Sequence, residues 1–264
     1  TDPPQVDRDI VTVPEVFAGA ALAPFKACVR AVGAAEPPSE GKDAIQAFPV
    51  LQGFDGRFRP GEIALVLAPP GHGKTALLKA LAGNLPAGAI DGTVKYGGKT
   101  AEELEAEGVS VARLAQYVEQ TDTHLPFLTV RETAAFVHDN ACVAPDADAD
   151  EAAKKLHAEK VDAVTNLLAL EGCIDTIIGD DLVRGVSGGE KKRVTIGEAL
   201  VTNARLLCCD EISTGLDAAV TFNIVAALRA WARKTNGTAV VALAWWDWAS
   251  EFLQRAAGVQ LYCL

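Results

Sequence analysis

The chain has 264 residues, of which 49% are hydrophobic and 22% are charged, and its 24 Lys and Arg against 35 Asp and Glu give a net charge of −11. This is the composition of a globular protein long enough to bury a core, and it excludes intrinsic disorder and coiled coil for most of the chain. The acidic balance disfavours nucleic acid and anionic lipid as general partners.

Apolar runs and cysteines limit the cellular setting. The richest apolar runs, 16–25 and 239–246, are far shorter than the ~18 residues of a membrane-spanning helix, and no signal peptide is evident. The six cysteines contain no CxxC pair, which favours free thiols in a reducing compartment. Because the chain begins at Thr1 and stops in an apolar run, we expect it to be a piece of a longer protein, so the absence of a span here says nothing about that parent.

The first 44 residues predict a peripheral N-terminal extension. Two Pro-rich breaker clusters flank a segment, 14–32, that has the composition of a short helix. Residues 45–83 then predict strand, turn, strand, loop and helix. The predicted elements are a strand at 48–51, a continuously apolar strand at 63–67, a Gly- and Pro-rich loop at 68–75 and a helix at 76–82 that ends at Gly83.

The rest of the chain predicts a helical insertion and then a return to strand–helix alternation. Strands are predicted at 92–96 and 114–118, before a mostly helical block at 129–195 in which apolar spacing indicates a helix over 151–172. The later predicted elements are strands at 206–209, 238–243 and 258–263 and helices at 218–234 and 249–257. Such alternation predicts an α/β fold with a mainly parallel sheet.

The loop Ala68–Thr75 fits the phosphate-binding P-loop pattern, with alanine in place of its first glycine. Gly71 and Gly73 leave backbone N–H groups free to surround phosphate oxygens, and the helix N-terminus adds a partial positive charge. Lys74 would reach the β- and γ-phosphates, and the Thr75 hydroxyl would coordinate Mg²⁺. The alternative, a plain Gly-Pro turn, is disfavoured by the flanking strand and helix. The predicted nucleotide-binding residues are Ala68, Pro69, Pro70, Gly71, His72, Gly73, Lys74, Thr75 and Ala76.

An apolar strand that ends in two acids predicts the second part of the same site. Leu206–Cys209 continues into Asp210 and Glu211, which matches the Walker B pattern. Asp210 would bind the Mg²⁺ shell beside the P-loop, and Glu211 would polarise the attacking water. Alone this pattern is weak, but after a P-loop it indicates a site for ATP and Mg²⁺.

A third motif, Val186–Arg193, lies between these two and ahead of a predicted helix. Ser187 can cap that helix, while Gly188 and Gly189 expose its first amides to phosphate, and Glu190 completes the motif. The chain thus has a second cradle for a γ-phosphate. Two copies facing each other would let each cradle serve the nucleotide that the other holds.

These motifs, in this order, resemble the nucleotide-binding domain of an ABC transporter. The residues within the motifs are similar to those of the first nucleotide-binding domain of full-size transporters of the G subfamily, the pleiotropic drug resistance branch. The resemblance covers roughly residues 48–264, and the segments that carry it are Tyr117–His124, Leu128–Thr133, Arg184–Thr195 and Asp210–Asp217. It implies a P-loop NTPase core with a mainly parallel sheet, an antiparallel β edge and an inserted helical signature subdomain.

We accordingly expect an N-terminal extension, 1–44, and one ABC ATPase domain, 45–264. The core of that domain would comprise 45–120 and 196–264, around a helical subdomain at about 121–195.

The resemblance also implies roles for residues outside the P-loop. Gln120 should contact Mg²⁺ and link the site to the helical subdomain and the membrane domain. Ser187, Gly188, Gly189 and Glu190 should contact nucleotide held by a partner domain, and Asp217 should cross that interface. An adenine-stacking aromatic is expected upstream, as Phe48 or Phe54, although either could equally belong to the core. The expected catalytic residues are Glu211, Lys74 and Gln120, and the expected metal ligands are Thr75, Gln120 and Asp210.

One family feature is missing from the sequence. ABC domains usually carry a His after the last core strand, where this chain has Ala244, and none of its four histidines is near that position. First domains of the pleiotropic drug resistance branch often lack this His, so the departure fits the resemblance and implies that the chain's own site is slow. Trp245, Trp246 and Trp248 follow, for which packing at a strand end is favoured over a contact with a membrane domain or partner.

The resemblance therefore implies the ATPase domain of a membrane exporter, held at the cytoplasmic face of the membrane. Its partners would be a second nucleotide-binding domain and transmembrane domains, and not nucleic acid. The alternative is a soluble ABC ATPase that acts on nucleic acid or ribosomes, which the net charge and the wording around Gln120 disfavour. A P-loop kinase or GTPase would not need the Ser187–Gly189 cradle, and the sequence lacks the base-reading N-K-x-D motif of GTPases.

Overall fold

The computed structural model of the chain describes residues 50–51, 53–86, 88–142, 151–244 and 260–263. The strands are β1 (Ile63–Ala68), β2 (Ala115–Val118), β3 (Leu206–Asp210), β4 (Thr238–Ala244) and β5 (Gln260–Cys263). They form one sheet in the order β2-β3-β4-β1-β5, in which every neighbouring pair is parallel. The predicted α/β class and mainly parallel sheet are thereby confirmed.

Seven α-helices accompany the sheet in the described part of the chain. They are α1 (Lys74–Leu81), α2 (Ala101–Ala106), α3 (Val111–Leu114), α4 (Val130–Ala141), α5 (Glu151–Leu167), α6 (Gly188–Val201) and α7 (Ala218–Thr235). A short 3-10 turn, Glu171–Cys173, follows α5.

The sheet forms a middle layer because its central strands are apolar on both faces. All six residues of β1 and all five of β3 are buried, as expected for parallel strands with helices on either side. Ile63, Leu65 and Leu67 of β1 pack in a core with residues of α4, α5, α6 and α7. The alternate residues, Ala64 and Val66, pack in a second core with residues of α1, α2 and α3.

Parallel strands bring the predicted motifs to one edge of the sheet. The P-loop follows β1, the acids Asp210 and Glu211 stand at the end of β3, and Gln120 follows β2. Only β4 separates β1 from β3. The carboxyl ends of parallel strands meet at the same edge, which is where ligands bind in open α/β sheets.

The helical insertion differs in detail from the prediction. Helices α4 and α5 both pack against α6, but α5 ends at Leu167 and not near Gly172. Ala169 adopts a left-handed conformation, with φ of 51°, and the Leu170 amide donates to the Thr165 carbonyl at 2.9 Å. This bond across the last turn closes the helix before the predicted glycine.

The strand predicted at 92–96 is wrong. Tyr96 forms only an isolated antiparallel bridge with Lys99, around a turn in which Gly97 and Gly98 have positive φ. The Tyr96 hydroxyl points inward and donates to the Leu81 carbonyl at 2.8 Å, so the segment is held by a side chain and not by a ladder. Helix α2 follows at once, begun by a capping box between Thr100 and Glu103 that the sequence interpretation missed.

Other predicted elements are corrected or fall outside the described residues. Residues 50 and 51 are not in a strand, and no antiparallel strand pair occurs among the described residues, so the expected antiparallel edge is not formed by them. Residues 48–49, the whole N-terminal extension including 14–32, and the helix expected at 249–257 lie outside the described part. Within that part, no helix combines the length and hydropathy of a membrane span.

Candidate functional site

The P-loop has the backbone conformation that its glycines predict. Gly71 and Gly73 have φ of 78° and 83°, in the left-handed region that glycine adopts without strain. A Cβ on Gly73 would also lie 2.7 Å from Leu51 Cγ, whereas one on Gly71 would meet nothing within 4 Å. Helix α1 begins directly after Gly73 with no side-chain cap, so its first amides are left for an anionic ligand. His72 is exposed, as expected of a spacer.

Lys74 is buried and folded back over the loop. Its Nζ donates to the carbonyl of Ala68 at 3.0 Å and contacts that of Pro69 at 3.4 Å. The same ammonium lies 3.3 Å from Oε1 of Glu211. The P-loop lysine and the second Walker B acid, 137 positions apart in the chain, are therefore an ion pair in this structure.

Asp210 stands at the end of β3, and its two carboxylate oxygens differ in their hydrogen bonds. Oδ2 accepts hydrogen bonds from the Thr75 hydroxyl at 2.6 Å and from the Tyr117 hydroxyl at 2.9 Å. Oδ1 is buried and has no hydrogen-bond partner among the described residues. A buried carboxylate oxygen without a donor is costly, and it is a suitable ligand for a hard cation such as Mg²⁺.

Glu211 joins the P-loop to the segment after β2. While Oε1 contacts Lys74, Oε2 accepts a hydrogen bond from Gln120 Nε2 at 2.8 Å. Glu211 has φ of 45°, an unusual conformation for a non-glycine residue, and its amide donates to the Ala242 carbonyl of β4 at 3.0 Å. The structure thus brings together the predicted residues Lys74, Thr75, Gln120, Asp210 and Glu211.

The third motif forms a capped helix end. Ser187 is the N-cap of α6, and its backbone amide and hydroxyl both donate to Oε2 of Glu190, each at 2.7 Å. These bonds lower the pKa of Glu190. Gly188 is exposed, and no hydrogen bond or ion pair between described residues joins Ser187–Glu190 to the P-loop. Among the described residues, the motif is therefore not bonded to the nucleotide site of its own chain.

A buried polar network ties α6 to the Gln120 segment, and sequence reasoning missed it. Lys192 is 2% exposed; its Nζ donates to the Gln120 carbonyl at 2.7 Å and lies 2.8 Å from Asp122 Oδ1. Thr195, one turn further, donates to the same Asp122 oxygen at 2.6 Å. The available signal was helical spacing, because Lys192 shares a face with Ile196 and Leu200 and so had to be buried with a partner.

Tyr117 is a second residue that sequence reasoning did not place in the site. It lies on β2, paired with Cys208 of β3, and reaches diagonally to Asp210. Burial and then the hydrogen bond to Asp210 raise its pKa, so the phenol stays a donor at neutral pH. Lys79 of α1 lies over its ring, 5.5 Å from the centroid.

The remaining predicted residues lie elsewhere. Asp217 caps α7 through a bond from the Val220 amide at 2.8 Å, and it is exposed. Phe54 packs with Phe58 and Tyr262 at centroid distances of 6.3 and 6.2 Å, an aromatic cluster at the sheet. Ala244 ends β4 opposite Ala68. Phe48 and the tryptophans at 245, 246 and 248 lie outside the described residues.

Comparison with known proteins gives a consistent result. The family model described as "ABC transporter" matches residues 51–214, more than half of the chain. ABC transporter G family member 53 of Oryza sativa subsp. japonica is 40% identical over 224 residues, and ABC transporter G family member 36 of Oryza sativa subsp. indica is 42% identical over 224 residues. Each match covers 75% of this chain and 15% of the relative.

A relative from another plant matches equally well. ABC transporter G family member 40 of Arabidopsis thaliana is 40% identical over 222 residues, which are 74% of this chain and 15% of that protein. The chain thus spans about 15% of the length of these relatives. The matched residues include the P-loop and both Walker B acids, so the motifs, the fold and the comparisons agree that this chain belongs to the ABC transporter family.

Proposed function

We propose that this chain is the ATP-binding and ATP-hydrolysing domain of a G-subfamily membrane exporter, occupying the first of two nucleotide-binding positions. The observation that carries the proposal is the meeting of Lys74, Thr75, Gln120, Asp210 and Glu211 at the carboxyl edge of the sheet. These side chains lie at or beyond the carboxyl ends of three strands far apart in sequence, and together they match the needs of phosphoryl transfer to water, which depends on positioning and charge stabilisation.

Nucleotide binding would begin with a change of partner for Lys74. Its ammonium is buried against Glu211 and two loop carbonyls, contacts that β- and γ-phosphate oxygens can replace with stronger charge-assisted hydrogen bonds. The uncapped N-terminus of α1 offers backbone amides to the same phosphates. Ala68, Pro69, Pro70, Gly71, His72, Gly73, Thr75 and Ala76 complete the loop and its first helical turn.

The residues around Asp210 fit a magnesium ion. Mg²⁺ would neutralise charge on the phosphates, and Thr75, Asp210 and Gln120 are the residues that would hold it or its water shell. Oδ1 of Asp210 is buried and has no hydrogen-bond partner among the residues that the structure describes, and Thr75 already lies against the same carboxylate.

Release of Lys74 would also free Glu211. Its carboxylate is held from both sides, by Lys74 and by Gln120, so in this arrangement it has less capacity to accept a proton from water. Once the lysine turns to phosphate, Glu211 can orient and polarise an attacking water as a general base. The alanine at 244 offers no imidazole to the γ-phosphate, and we therefore propose that hydrolysis at this site is slow.

The motif at Ser187–Glu190 would act on nucleotide held by a second nucleotide-binding domain. Its helix end is exposed and unconnected to the P-loop among the described residues. Glu190 holds the Ser187 hydroxyl in place, and Gly188 leaves the first amides of α6 uncovered. Asp217, also exposed at a helix start, would contribute to the same interface.

The loop after Gln120 offers a surface for the membrane domain. Leu125 and Phe127 are 63% and 74% exposed, and Leu182 is 94% exposed. The segment that contains Leu125 and Phe127 is joined to the segment that contains Leu182, since the Gly179 amide donates to the Pro126 carbonyl at 2.8 Å. Exposed apolar residues of this size mark interaction sites, and the chain accounts for only about 15% of the transporter-length relatives. This location would place the domain at the cytoplasmic face of a membrane.

Calorimetric titration of ATP into the chain tests the proposal. Replacing Lys74 by alanine should weaken binding by about 10–100-fold, because it removes charge-assisted contacts to phosphate. Lys99→Ala is the matched control, since Lys99 is an exposed lysine paired with Glu107 away from the site. Equal ATP affinity in the Lys74→Ala and Lys99→Ala variants would contradict the P-loop assignment.

A further inference from the structure

The carboxylate of Asp210 is held in an asymmetric way by its neighbours. Both donors, Thr75 and Tyr117, contact Oδ2, at 2.6 and 2.9 Å, whereas Oδ1 is buried and accepts no hydrogen bond within the described part of the chain. A freely rotating carboxylate would share its donors between its oxygens. This one is oriented, and the orientation decides which oxygen remains for a cation.

The two donors differ in how they are fixed. Thr75 belongs to the first turn of α1, directly in the P-loop, and its own hydroxyl oxygen is a proposed metal ligand. Tyr117 stands on β2, whose register with β3 is set by the pairs Tyr117–Cys208 and Val118–Cys209. This strand pairing fixes the position of the phenol, so its hydroxyl can hold Oδ2 whatever Thr75 does.

We propose that Tyr117 is a positioning residue for the magnesium site: its hydroxyl anchors Oδ2 of Asp210 and so presents Oδ1 to the cation. Partners of metal ligands commonly orient those ligands in this way. The inference rests on the proposed function and adds to it a residue that neither contacts nucleotide nor ligates metal.

Tyr117→Phe removes this one hydroxyl and keeps the ring. The chain supplies a matched control in Tyr96, which lies away from the site and whose phenol donates one hydrogen bond, to the Leu81 carbonyl at 2.8 Å. Tyr96→Phe therefore imposes a comparable loss of one hydrogen bond without touching Asp210. A second comparison, Lys79→Gln, keeps the Tyr117 hydroxyl and removes the cation over its ring.

ATP binding by the full 264-residue chain would be measured by calorimetry in EDTA and across a Mg²⁺ titration, together with the melting temperature of each variant. Tyr117→Phe should leave the ATP affinity in EDTA within about twofold of that of the unsubstituted chain. It should raise about tenfold the Mg²⁺ concentration that gives half of the maximal enhancement of ATP binding. That is the lower end of the roughly 10–100-fold typical of such partners, because Thr75 still holds Oδ2. Tyr96→Phe and Lys79→Gln should leave the Mg²⁺ midpoint unchanged.

Each contrary result has a distinct meaning. An unchanged Mg²⁺ midpoint in Tyr117→Phe, with ATP binding intact, overturns the positioning role alone. An equal shift of the midpoint in Lys79→Gln or Tyr96→Phe also overturns it, since the ring or general stability would then be responsible. Absence of ATP binding by the unsubstituted chain in EDTA and in Mg²⁺ overturns the proposed function itself.

Discussion

Replacing Lys192 by methionine should destabilise the chain strongly, although the sequence predicted no role for Lys192 within the third motif. Lys192 is 2% exposed. Its ammonium donates to the Gln120 carbonyl at 2.7 Å and lies 2.8 Å from Asp122 Oδ1. Methionine keeps the length and the apolar stem but leaves Asp122 without its cation. Removing one partner of a buried pair costs about 3–5 kcal/mol.

The lower end of that range applies here. The Asp122 side chain is 20% exposed, and it keeps the Thr195 hydroxyl at 2.6 Å, so water and one donor compensate it in part. We expect a loss of about 3 kcal/mol in the free energy of unfolding. At about 2–4 °C per kcal/mol for a domain of this size, the melting temperature should fall by about 6–12 °C.

Thermal unfolding followed by circular dichroism measures this loss, with Lys191→Met as the control. Lys191 is the adjacent lysine, and it makes one bond to the Gly179 carbonyl at 2.9 Å, so its loss should cost about 1 kcal/mol. Adding Asp122→Asn to Lys192→Met should recover much of the stability, because the unpaired charge disappears. If Lys192→Met melts no lower than Lys191→Met, or if the double variant is no better, the buried ion pair is not what fixes the Gln120 segment.

Three further outcomes are expected. Ser187→Arg should leave ATP binding by the isolated chain nearly intact and impair turnover of the whole transporter; loss of binding in the isolated chain, measured by calorimetry, would contradict action on a partner's nucleotide. In the whole transporter, Glu211→Gln should reduce steady-state ATPase activity less than the matching change in the partner domain. The reason is that Ala244 replaces the usual His, and general-base and positioning groups each contribute ~10²–10⁴-fold to the rate of hydrolysis. An equal or larger loss of activity would show that this site carries turnover. Glu190→Gln should lower the melting temperature near neutral pH, and the difference from the unsubstituted chain should vanish as the pH falls. The bonds from Ser187 lower the pKa of Glu190 in the folded chain. The contribution of Glu190 to stability is therefore complete above the ordinary Glu pKa of about 4.3 and is lost as the pH falls through the lower pKa of the folded state. A difference that persists at lower pH would mean that the charge of Glu190 is not what strengthens the cap.

The local sequence predicted those parts of the site that depend on backbone conformation. Gly71 and Gly73 could be assigned because only glycine takes positive φ readily, and the cap at Ser187 because serine at a helix start accepts a bond from a free amide; the capping box that Glu190 completes was not predicted. The same rule could have found α2, since Thr100 and Glu103 form such a box. The prediction of a strand at 92–96 was wrong because β propensity alone does not provide a neighbouring strand with which the segment can pair.

The sequence by itself determined the strands and the motifs at their ends, because a continuously apolar run followed by glycines or acids has few alternatives in a parallel α/β protein. It could not determine which side chains meet. Lys74 paired with Glu211, Gln120 bound to Glu211, and Tyr117 bound to Asp210 are contacts between residues on or just after β1, β2 and β3, whose carboxyl ends the strand order β2-β3-β4-β1-β5 brings to one edge of the sheet. Hydrogen bonds and ion pairs act over about 3 Å, a distance that register and strand order set, so these contacts were decided by the tertiary structure alone.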